Sequence, residues 1–469
     1  MTLRTKLQKD GVDAALAAAA REGSRLEAIS FYNTILEKTN VREFAEALQQ
    51  DLRDRGVLFG DRLLCPFLRP NFVGREQLDL LASAVRGVVG AMNVLAPRLV
   101  AEPELQDFLG MTDQERMLCE VDPGYLDLSV TSRLDSFLLG GKVRFVEYNA
   151  EVPAGIGYND NMMQSFLNTD VMKEFTEFYP CSPLYTTDAL VNALIDTYRR
   201  WGGKDEPVIA IVDYDDLPTI HEFEILRKSF SERGYKTVVS DPRKLVCKSN
   251  GDLYAGDQKV NLVYRRLLTN ELLDRFDEAK PMFEAYKAGT ICSVNSFRSK
   301  FLHKKAIFAL ITDPKYQDGM TEEQLFAVYT HVPWTRKVED TKTTDPEGHP
   351  IELLYFIRQN KRDLVMKPND EYGGKGIFVG WELDDREWDN AIQTALSAHY
   401  LVQTRVEVAR DSYPSWNQDS KDIQWGEYTV DLDPFVFFGE IEGLLTRLSA
   451  TALCNVTAGG GGVPTFVLD

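Results

Sequence analysis

Two runs of alternating apolar and polar residues, joined by a pair of glycines, constrain this chain more than any other feature. The segment SRLDSFLLGGKVRFVEYNAE, residues 132–151, alternates on both sides of Gly140 and Gly141. Alternation of this kind around a glycine turn is typical of two antiparallel strands. The segment therefore predicts a β-hairpin.

Four polar side chains lie on one face of this predicted hairpin. Arg133 and Asp135 are two residues apart on the first strand, and Glu147 and Asn149 are two apart on the second. Residues two apart in a strand point to the same side. Two carboxylates and an amide oxygen suit Mg²⁺, and the arginine beside them could stabilise charge on a transferred group. The alternative is an ordinary solvated face of a hairpin.

A second glycine-rich segment, LVMKPNDEYGGKGIFVG, spans residues 364–380. An apolar strand brings Lys367 to a turn that contains Gly373, Gly374 and Gly376. Glycines allow the backbone to approach phosphate oxygens closely, and a lysine supplies a compact positive charge. The segment matches neither the phosphate loop of P-loop proteins nor a dinucleotide-binding fingerprint. The alternative is an ordinary glycine-rich hairpin turn.

Further candidates come from three other segments. Gln403 lies in the predicted strand YLVQTRVEV and could contact an adenine edge, although a plain buried strand fits equally well. Arg447 follows a glycine-marked strand and could reach a phosphate or an acidic substrate. Lys304 and Lys305 begin an apolar helix, and such lysines usually face solvent. The glycines at 459–462 predict a loop near a site or a flexible terminus.

The hydrophobic pattern also predicts the organisation of the chain. Helical spacing dominates the beginning, where Pro97 is a predicted helix stop. A strand–helix–strand order then predicts a small parallel α/β unit, and the polar segment 336–350 is predicted to be an exposed loop. The predicted regions are a mostly helical one at 1–118, the hairpin region at 119–205, the α/β unit at 206–270 and a last region of helices, strands and glycine turns at 271–469.

In their order along the chain, these motifs resemble those of glutathionylspermidine synthases and related circularly permuted ATP-grasp proteins, over roughly residues 120–469. The family has an R-x-D and then an E-x-N string, here Arg133 to Asn149. A small α/β domain, a lysine-led helix, a KP strand with a glycine loop and a glutamine-containing hinge strand follow. The resemblance implies an α+β or α/β fold, namely a permuted ATP-grasp with a small parallel domain and a helical N-terminal region. It also implies that residues 119–205 form the metal-binding part of the ATP-grasp and residues 271–469 its nucleotide-binding part.

The resemblance also implies roles for individual residues. Asp135, Glu147 and Asn149 would bind Mg²⁺, and Arg133 would stabilise the transition state, with Arg447 as a second catalytic candidate. The ATP-binding candidates are Lys305, Lys367, Gly373, Gly374, Lys375, Gly376 and Gln403. The adjacent lysines leave open whether Lys304 or Lys305 faces the nucleotide. The glycine loop reads YGGKG where the family has an REG-like string, which leaves the loop contacts open.

The function implied is a Mg²⁺-dependent ligase that uses ATP to join a small-molecule carboxylate to an amine through an acyl phosphate. The substrates could be amino acids, peptides or polyamines. One alternative is an ATP-dependent kinase of a small molecule. Another is a degenerate nucleotide-binding or scaffold protein.

Composition excludes several other functions. The formal net charge of −19 repels nucleic-acid phosphates and anionic membranes. The six cysteines are scattered and form no C-x-x-C pair, which is typical of free thiols in a reducing compartment. No stretch reaches about 18 uninterrupted apolar residues, and the N-terminus has no secretory pattern. We therefore expect a cytoplasmic protein without nucleic-acid or membrane partners, and the resemblance implies a monomer or homodimer.

Overall fold

The computed structural model of this protein describes residues 24–371, 373–417, 420–451 and 460–469. Its helices are α1 (24–38), α2 (Val41–Asp54), α3 (Arg75–Ala101), α4 (Pro103–Phe108), α5 (Asp113–Glu120), α6 (Ile156–Leu167), α7 (Asp170–Phe178), α8 (Thr186–Trp201), α9 (Ile220–Glu232), α10 (Thr269–Asp274), α11 (Phe276–Lys287), α12 (Lys300–His303), α13 (Ala306–Ile311), α14 (Glu322–His331), α15 (Leu353–Gln359) and α16 (Asp385–Ser397).

The strands group into a few sheets, which are described below. They are β1 (Leu58–Phe59), β2 (Arg62–Leu63), β3 (Asn71–Gly74), β4 (Thr131–Leu139), β5 (Lys142–Asn149), β6 (Cys181–Pro183), β7 (Ile209–Val212), β8 (Thr237–Ser240), β9 (Leu245–Cys247), β10 (Leu253–Ala255), β11 (Gln258–Val260), β12 (Leu262–Arg265), β13 (Cys292–Val294), β14 (Thr335–Lys337), β15 (Lys342–Thr344), β16 (Pro350–Glu352), β17 (Leu364–Pro368), β18 (Phe378–Val379), β19 (Tyr400–Thr404), β20 (Ala409–Asn417), β21 (Asp422–Phe437), β22 (Glu440–Ser449), β23 (Gly461–Val463) and β24 (Thr465–Leu468).

The largest sheet is antiparallel and contains the predicted hairpin. Its order is β23-β22-β21-β4-β5, with β20 paired to β21. Strands β4 and β5 turn at Gly140 and Gly141, whose φ values of 55° and 73° favour glycine. The hairpin prediction is confirmed. Its register places Arg133 opposite Asn149 and Asp135 opposite Glu147.

A second antiparallel sheet carries the other predicted motif. Its order is β14-β19-β17-β18. The glycine-rich segment connects β17 to β18, so the predicted strand–turn–strand is confirmed, and Val365 on β17 pairs with Gln403 on β19. Helices α15 and α16 cover one side, where Ile357, Trp388 and Ile392 are fully buried or nearly so. This small core packs against the sheet that carries the glycine-rich turn.

The predicted parallel α/β unit is also present. The sheet has the order β13-β12-β7-β8, and every neighbouring pair is parallel. It includes β13, which lies beyond the predicted limit at residue 270. Strand β13 has only three residues, which are too few to show a period in the sequence.

Three local predictions are wrong. Pro97 does not end a helix but lies inside α3. The burial of Leu95 and Leu99 on either side of it outweighs the roughly 3 kcal/mol that an interior proline costs. The segment 336–350 is not a plain loop, because β15 and β16 form a hairpin there. The glycines at 461 and 462 are buried in β23 rather than in a mobile loop, while Gly459 lies outside the described residues.

Helix α3 is long and apolar enough to cross a membrane by length and composition alone. The protein covers much of its apolar side, because residues such as Leu81, Val88 and Met92 are buried in the largest hydrophobic cluster. A core helix passes the same test. Its packing against α14 is close, since a Cβ at Gly87 would lie 2.3 Å from the Cβ of Ala327.

The N-terminal region shares a core with the rest of the chain. Strand β3 pairs in parallel with β24, near the end of the sequence, and β24 pairs with β6. Phe72 and Phe466 of these strands lie in one hydrophobic cluster with Tyr32 of α1 and Phe175 of α7. Residues 24–74 thus share one hydrophobic core with α7 and with the last strand of the chain.

Candidate active site

One face of the large sheet gathers charged side chains from three strands around Asp135. Arg133 donates from Nε to Asp135 Oδ1 over 2.8 Å, and Asn149 donates from Nδ2 to the same oxygen over 2.9 Å. Arg447, from β22, donates to Asp135 Oδ2 over 2.7 Å. The alternation of β4 and β5 and the antiparallel pairing of β21 with its neighbours bring these groups to one side. The structure thus brings together four of the residues that the sequence singled out.

Strand β21 adds two aspartates that the sequence analysis missed. Asp431 accepts from Arg447 Nε over 2.9 Å, and its Oδ2 lies 2.6 Å from Arg447 Nη2. Asp433 Oδ2 lies 2.8 Å from Arg447 Nη2, and its Oδ1 accepts from the Ser136 amide over 2.9 Å. The string VDLDP, with two aspartates two residues apart on a strand, was the signal that could have found them.

Burial and ion pairing set the charge state of these carboxyl groups. Burial alone would raise the pKa of Asp135, but the guanidiniums of Arg133 and Arg447 outweigh it and lower the pKa. Burial raises the pKa of Asp431 to about 6 against the opposing effect of Arg447. Burial also raises the pKa of Asp433 well above its usual range. Asp135 is therefore the carboxylate of this group that stays ionised most readily.

Glu147 pairs with a lysine from a different part of the chain. Lys305 Nζ lies 2.9 Å from Glu147 Oε1 and donates to the carbonyl oxygen of Glu371 over 2.6 Å. Burial would raise the pKa of Glu147, but the charge of Lys305 outweighs it and the pKa is lowered. Lys304 points elsewhere, to Glu115 and Asp370, both 2.8 Å or less from its Nζ. Of the two adjacent lysines, Lys305 is the one that contacts a candidate metal ligand.

Lys367 and Gln403 face each other across β17 and β19. Lys367 Nζ donates to Gln403 Oε1 over 2.9 Å and to the carbonyl oxygen of Val146 over 3.3 Å. The amide nitrogen of Gln403 donates to Thr335 Oγ1 over 3.0 Å. Burial lowers the pKa of Lys367 to about 8, against the opposing charge of Glu147. Lys367 therefore lies where the second sheet meets the end of the predicted hairpin.

A single cavity of about 760 Å³ lies between the two sheets. The large sheet contributes Arg133, Asp135, Glu147, Asn149, Asp431 and Arg447 to its wall. The second sheet and its glycine-rich turn contribute Val365, Lys367, Gly373, Gly374, Val379 and Gln403. Other parts of the chain add apolar side chains, among them Phe59, Leu64 and Tyr158. Acidic, basic and apolar surfaces thus meet in one cavity.

Three of the predicted nucleotide-binding residues are not part of the cavity wall. Lys305 reaches it only indirectly, through its ion pair with Glu147. Lys375 and Gly376 lie in the turn beyond the two glycines that line the cavity. Gly376 has a φ of 72°, and a Cβ there would lie 2.8 Å from the Tyr400 hydroxyl. The turn itself therefore requires glycine at position 376.

The donor atoms of the predicted metal site fit Mg²⁺. Asp135 and Glu147 offer carboxylate oxygens, and Asn149 donates through its amide nitrogen, so its amide oxygen is the atom that a cation could take. Hard oxygen ligands of this kind are those that Mg²⁺ prefers. Both oxygens of Asp135 already accept hydrogen bonds from arginines. Metal binding would therefore weaken or replace these ion pairs.

Comparison with known proteins gives relatives that are ligases by name. No protein-family model matches the chain. A protein of Frankia alni, provisionally named glutamate–cysteine ligase 2-3, is 22% identical over 93% of this chain and 50% of its own length. A protein of Frankia casuarinae, provisionally named glutamate–cysteine ligase 2-2, is 22% identical over 69% of this chain and 36% of its own length. The chain thus spans half or less of the curated relatives it matches.

A solved structure shares the fold. The glutathione synthetase-like effector GSS30 from Globodera pallida, in its apo form, matches with a TM-score of 0.58 over 91% of this chain and 97% of the other. The two are 11% identical, so the likeness concerns the fold alone. Both curated relatives carry ligase names, and neither they nor this solved structure is named as a glutathionylspermidine synthase.

Proposed function

We propose that this protein is an ATP- and Mg²⁺-dependent carboxylate–amine ligase with a circularly permuted ATP-grasp site. One observation carries the proposal. A single cavity brings the acidic cluster of the large sheet opposite Lys367 and the glycines of the second sheet. A nucleoside triphosphate needs both surfaces. Its phosphate oxygens require cations and backbone N–H groups, and the metal ion that accompanies it requires carboxylates.

Each wall of the cavity has a distinct task in this proposal. The apolar residues Val365, Ile377 and Val379 on the second sheet form a surface for an adenine ring. Lys367 and Lys305 bind phosphate oxygens, and Gly373 and Gly374 allow the backbone to come close to them. Asp135, Glu147 and Asn149 hold Mg²⁺, which supplies positive charge next to the phosphates when it is bound.

The chemistry proceeds in two displacements. A carboxylate oxygen of the acid substrate forms a bond to the γ-phosphorus of ATP, and the bond from that phosphorus to the β–γ bridging oxygen breaks to release ADP. An amine nitrogen then forms a bond to the acyl carbon, phosphate leaves, and the nitrogen loses a proton. Arg133 and Arg447 stabilise the negative charge that develops on the moving groups. Positioning and charge supply the catalysis, without a protein nucleophile.

The relatives suggest where a substrate search should begin. Both carry the provisional name glutamate–cysteine ligase, so L-glutamate is the first acid to test and L-cysteine the first amine. The acidic net charge of −19 favours small-molecule partners over nucleic acids. We propose that small-molecule carboxylates and amines of the cytoplasm are the substrates.

Hydroxylamine allows the acid to be identified before the amine is known. The purified protein is incubated with MgATP, hydroxylamine and one carboxylate at a time, and hydroxamate and ADP are both measured. A ligase forms hydroxamate and ADP in equal amounts with its own acid, and Glu147→Gln forms neither. ADP together with a stable phosphorylated product that persists without any amine would instead show a kinase. Absence of hydroxamate with a broad set of amino acids, peptides and other carboxylates would contradict the proposal.

A further inference from the structure

A line of six charged side chains of alternating sign lies outside the cavity wall and meets the beginning of the glycine-rich turn at Asp370. We call it the charge line. It is distinct from the Asp135 cluster and joins five separate parts of the chain. Its members, in spatial order, are Arg265, Glu151, Lys300, Asp370, Lys304 and Glu115.

The contacts along the charge line are continuous. Arg265 lies 3.4 Å from Glu151, and Lys300 Nζ lies 3.4 Å from the other oxygen of Glu151. Lys300 and Lys304 then hold the two oxygens of Asp370, each at 2.7 Å. Lys304 also lies 2.8 Å from Glu115 of α5. Three cations and three anions thus neutralise each other.

Burial distinguishes Asp370 from the other members. The side chains of Arg265, Glu151 and Lys300 are 0% exposed, and those of Lys304 and Glu115 are 4% exposed. The side chain of Asp370 is 25% exposed. Buried charges are tolerated only when they are paired. Asp370 is thus the point at which this buried network reaches the surface of the fold.

Asp370 also lies at the beginning of the glycine-rich turn, and its two neighbours are held as well. Asn369 donates to the carbonyl oxygen of Leu109 over 2.7 Å and accepts from the Ala306 amide over 2.9 Å. The carbonyl oxygen of Glu371 accepts from Lys305 Nζ over 2.6 Å. Three consecutive residues are therefore tied to separate elements just before the glycines that line the cavity.

We propose that Asp370 is a positioning residue that fixes the start of the glycine-rich turn, so that Gly373 and Gly374 present their backbone to the phosphates of the nucleotide. Lys300 and Lys304 act through Asp370 and not on the nucleotide. The inference rests on the proposed function, because it assigns the turn to phosphate binding. Glu115, in the N-terminal helical region, pairs with Lys304 and Lys300 rather than with the turn.

The test compares a nucleotide with phosphates to one without. Asp370→Asn removes the charge that both lysines hold. We expect the Kd for MgATP to rise at least tenfold in this variant, while the Kd for adenosine changes less than twofold, because adenosine has no phosphates. Hydrogen exchange at the amides of residues 373–376 should be faster than in the wild type, with or without nucleotide. Isothermal titration calorimetry and hydrogen-exchange mass spectrometry measure these quantities.

Glu115→Gln is the matched control, because it removes a buried carboxylate from the same line without touching the turn. Equal losses of MgATP affinity in both variants, or equal losses for MgATP and adenosine in Asp370→Asn, would overturn the positioning role. If Asp370→Asn does not fold, the double variant Asp370→Asn with Lys304→Gln removes one charge of each sign and should give the same MgATP-selective loss. Unchanged hydrogen exchange at 373–376 in Asp370→Asn, or in the double variant if that is the one that folds, would also overturn it.

The two proposals can fail separately. If wild-type protein binds MgATP and Lys367→Ala does not, the nucleotide site stands, whatever the result for Asp370→Asn. If the wild type does not bind MgATP, the proposed function fails. Hydrogen exchange of the unliganded variants still decides whether Asp370 orders the turn.

Discussion

Lys305 and Glu147 neutralise each other in this structure, with 2.9 Å between Nζ and Oε1. The first is expected to bind phosphate and the second to bind metal. Arg447 of β22 and Asp135 of β4, 2.7 Å apart across β21, repeat the arrangement. In both pairs, a cationic side chain that should face the phosphates is paired with a carboxylate that should bind the metal. Metal and nucleotide are expected to bind together more tightly than either binds alone.

Removing the lysine of this pair should change the two affinities in opposite directions. In Lys305→Met, the Glu147 carboxylate loses its partner, so Mg²⁺ alone should bind more tightly. MgATP should bind roughly tenfold to a hundredfold more weakly, because one hydrogen bond between charged groups is lost. Calorimetric titrations with MgCl₂ and with MgATP measure both. Lys342→Met, which breaks an exposed pair with Glu352, serves as the control, and weaker binding of Mg²⁺ to Lys305→Met would contradict the account.

Glu147→Gln should nearly abolish turnover while the fold persists. The amide keeps the shape of the side chain and removes the negative charge that the metal requires. We expect ADP release to fall by about a hundredfold or more, as for the loss of other groups that stabilise charge in the transition state. Glu440→Gln, at an exposed pair with Arg86, should keep full activity. Normal turnover in Glu147→Gln would remove Glu147 from the metal site.

Gly87→Ala should destabilise the protein although alanine favours helices. The new Cβ would lie 2.3 Å from the Cβ of Ala327, so α3 or α14 must move. Overpacking costs about 1–3 kcal/mol, which exceeds the gain of up to about 1 kcal/mol in helix propensity. Adding Ala327→Gly should remove the clash. Gly90→Ala is the control, because its Cβ meets the flexible end of Gln324 at 3.0 Å. Urea denaturation measures all four proteins, and equal stability of Gly87→Ala and Gly90→Ala would be the contrary result.

Asp213 should make folding stability depend on pH. Burial raises the pKa of this carboxyl to about 7, against the opposing charge of Arg266. In the unfolded chain the pKa is about 3.9, so the folded state holds the proton more tightly. The resulting stability is complete below about pH 4 and is lost as the pH rises to about 7, at about 1.4 kcal/mol per pH unit.

Asp213→Asn cannot ionise and should therefore lack this dependence. Relative to wild type, the free energy of unfolding of the variant should increase by on the order of a few kcal/mol between pH 4 and pH 8. The measurement is the difference in free energy of unfolding between the two proteins at each pH. A difference that stays constant over this range would show that Asp213 does not titrate there.

The sequence predicted the parts of the site that depend on local pattern. Arg133, Asp135, Glu147 and Asn149 follow from the alternation of one hairpin, whose glycine turn also sets the pairing of its strands. Asp431 and Asp433 were missed because they lie on β21. This strand reaches the site only by pairing with β4, where Phe435 is opposite Arg133. Pairing between strands about 300 residues apart leaves no local period in the sequence.

Lys304 and Lys305 show a second limit of local pattern. Lys304 follows the last residue of α12 and Lys305 precedes the first residue of α13, so a break between two short helices separates them. The break directs Lys304 to Asp370 and Lys305 to Glu147. Helical periodicity predicts neither direction, because neither lysine lies within a regular turn. The charge line was unpredictable for a related reason, since its members meet only through tertiary packing.

The most direct test of the account is the thermal stability of the wild type and of Lys367→Ala with and without MgATP. Nucleotide at about a hundred times its Kd should stabilise the wild type by roughly 2.7 kcal/mol, which raises Tm by a few degrees. The account predicts this Mg²⁺-dependent shift in the wild type and its loss in Lys367→Ala. A wild type that no nucleotide stabilises, or an equal shift in both proteins, would contradict the assignment of this cavity to ATP.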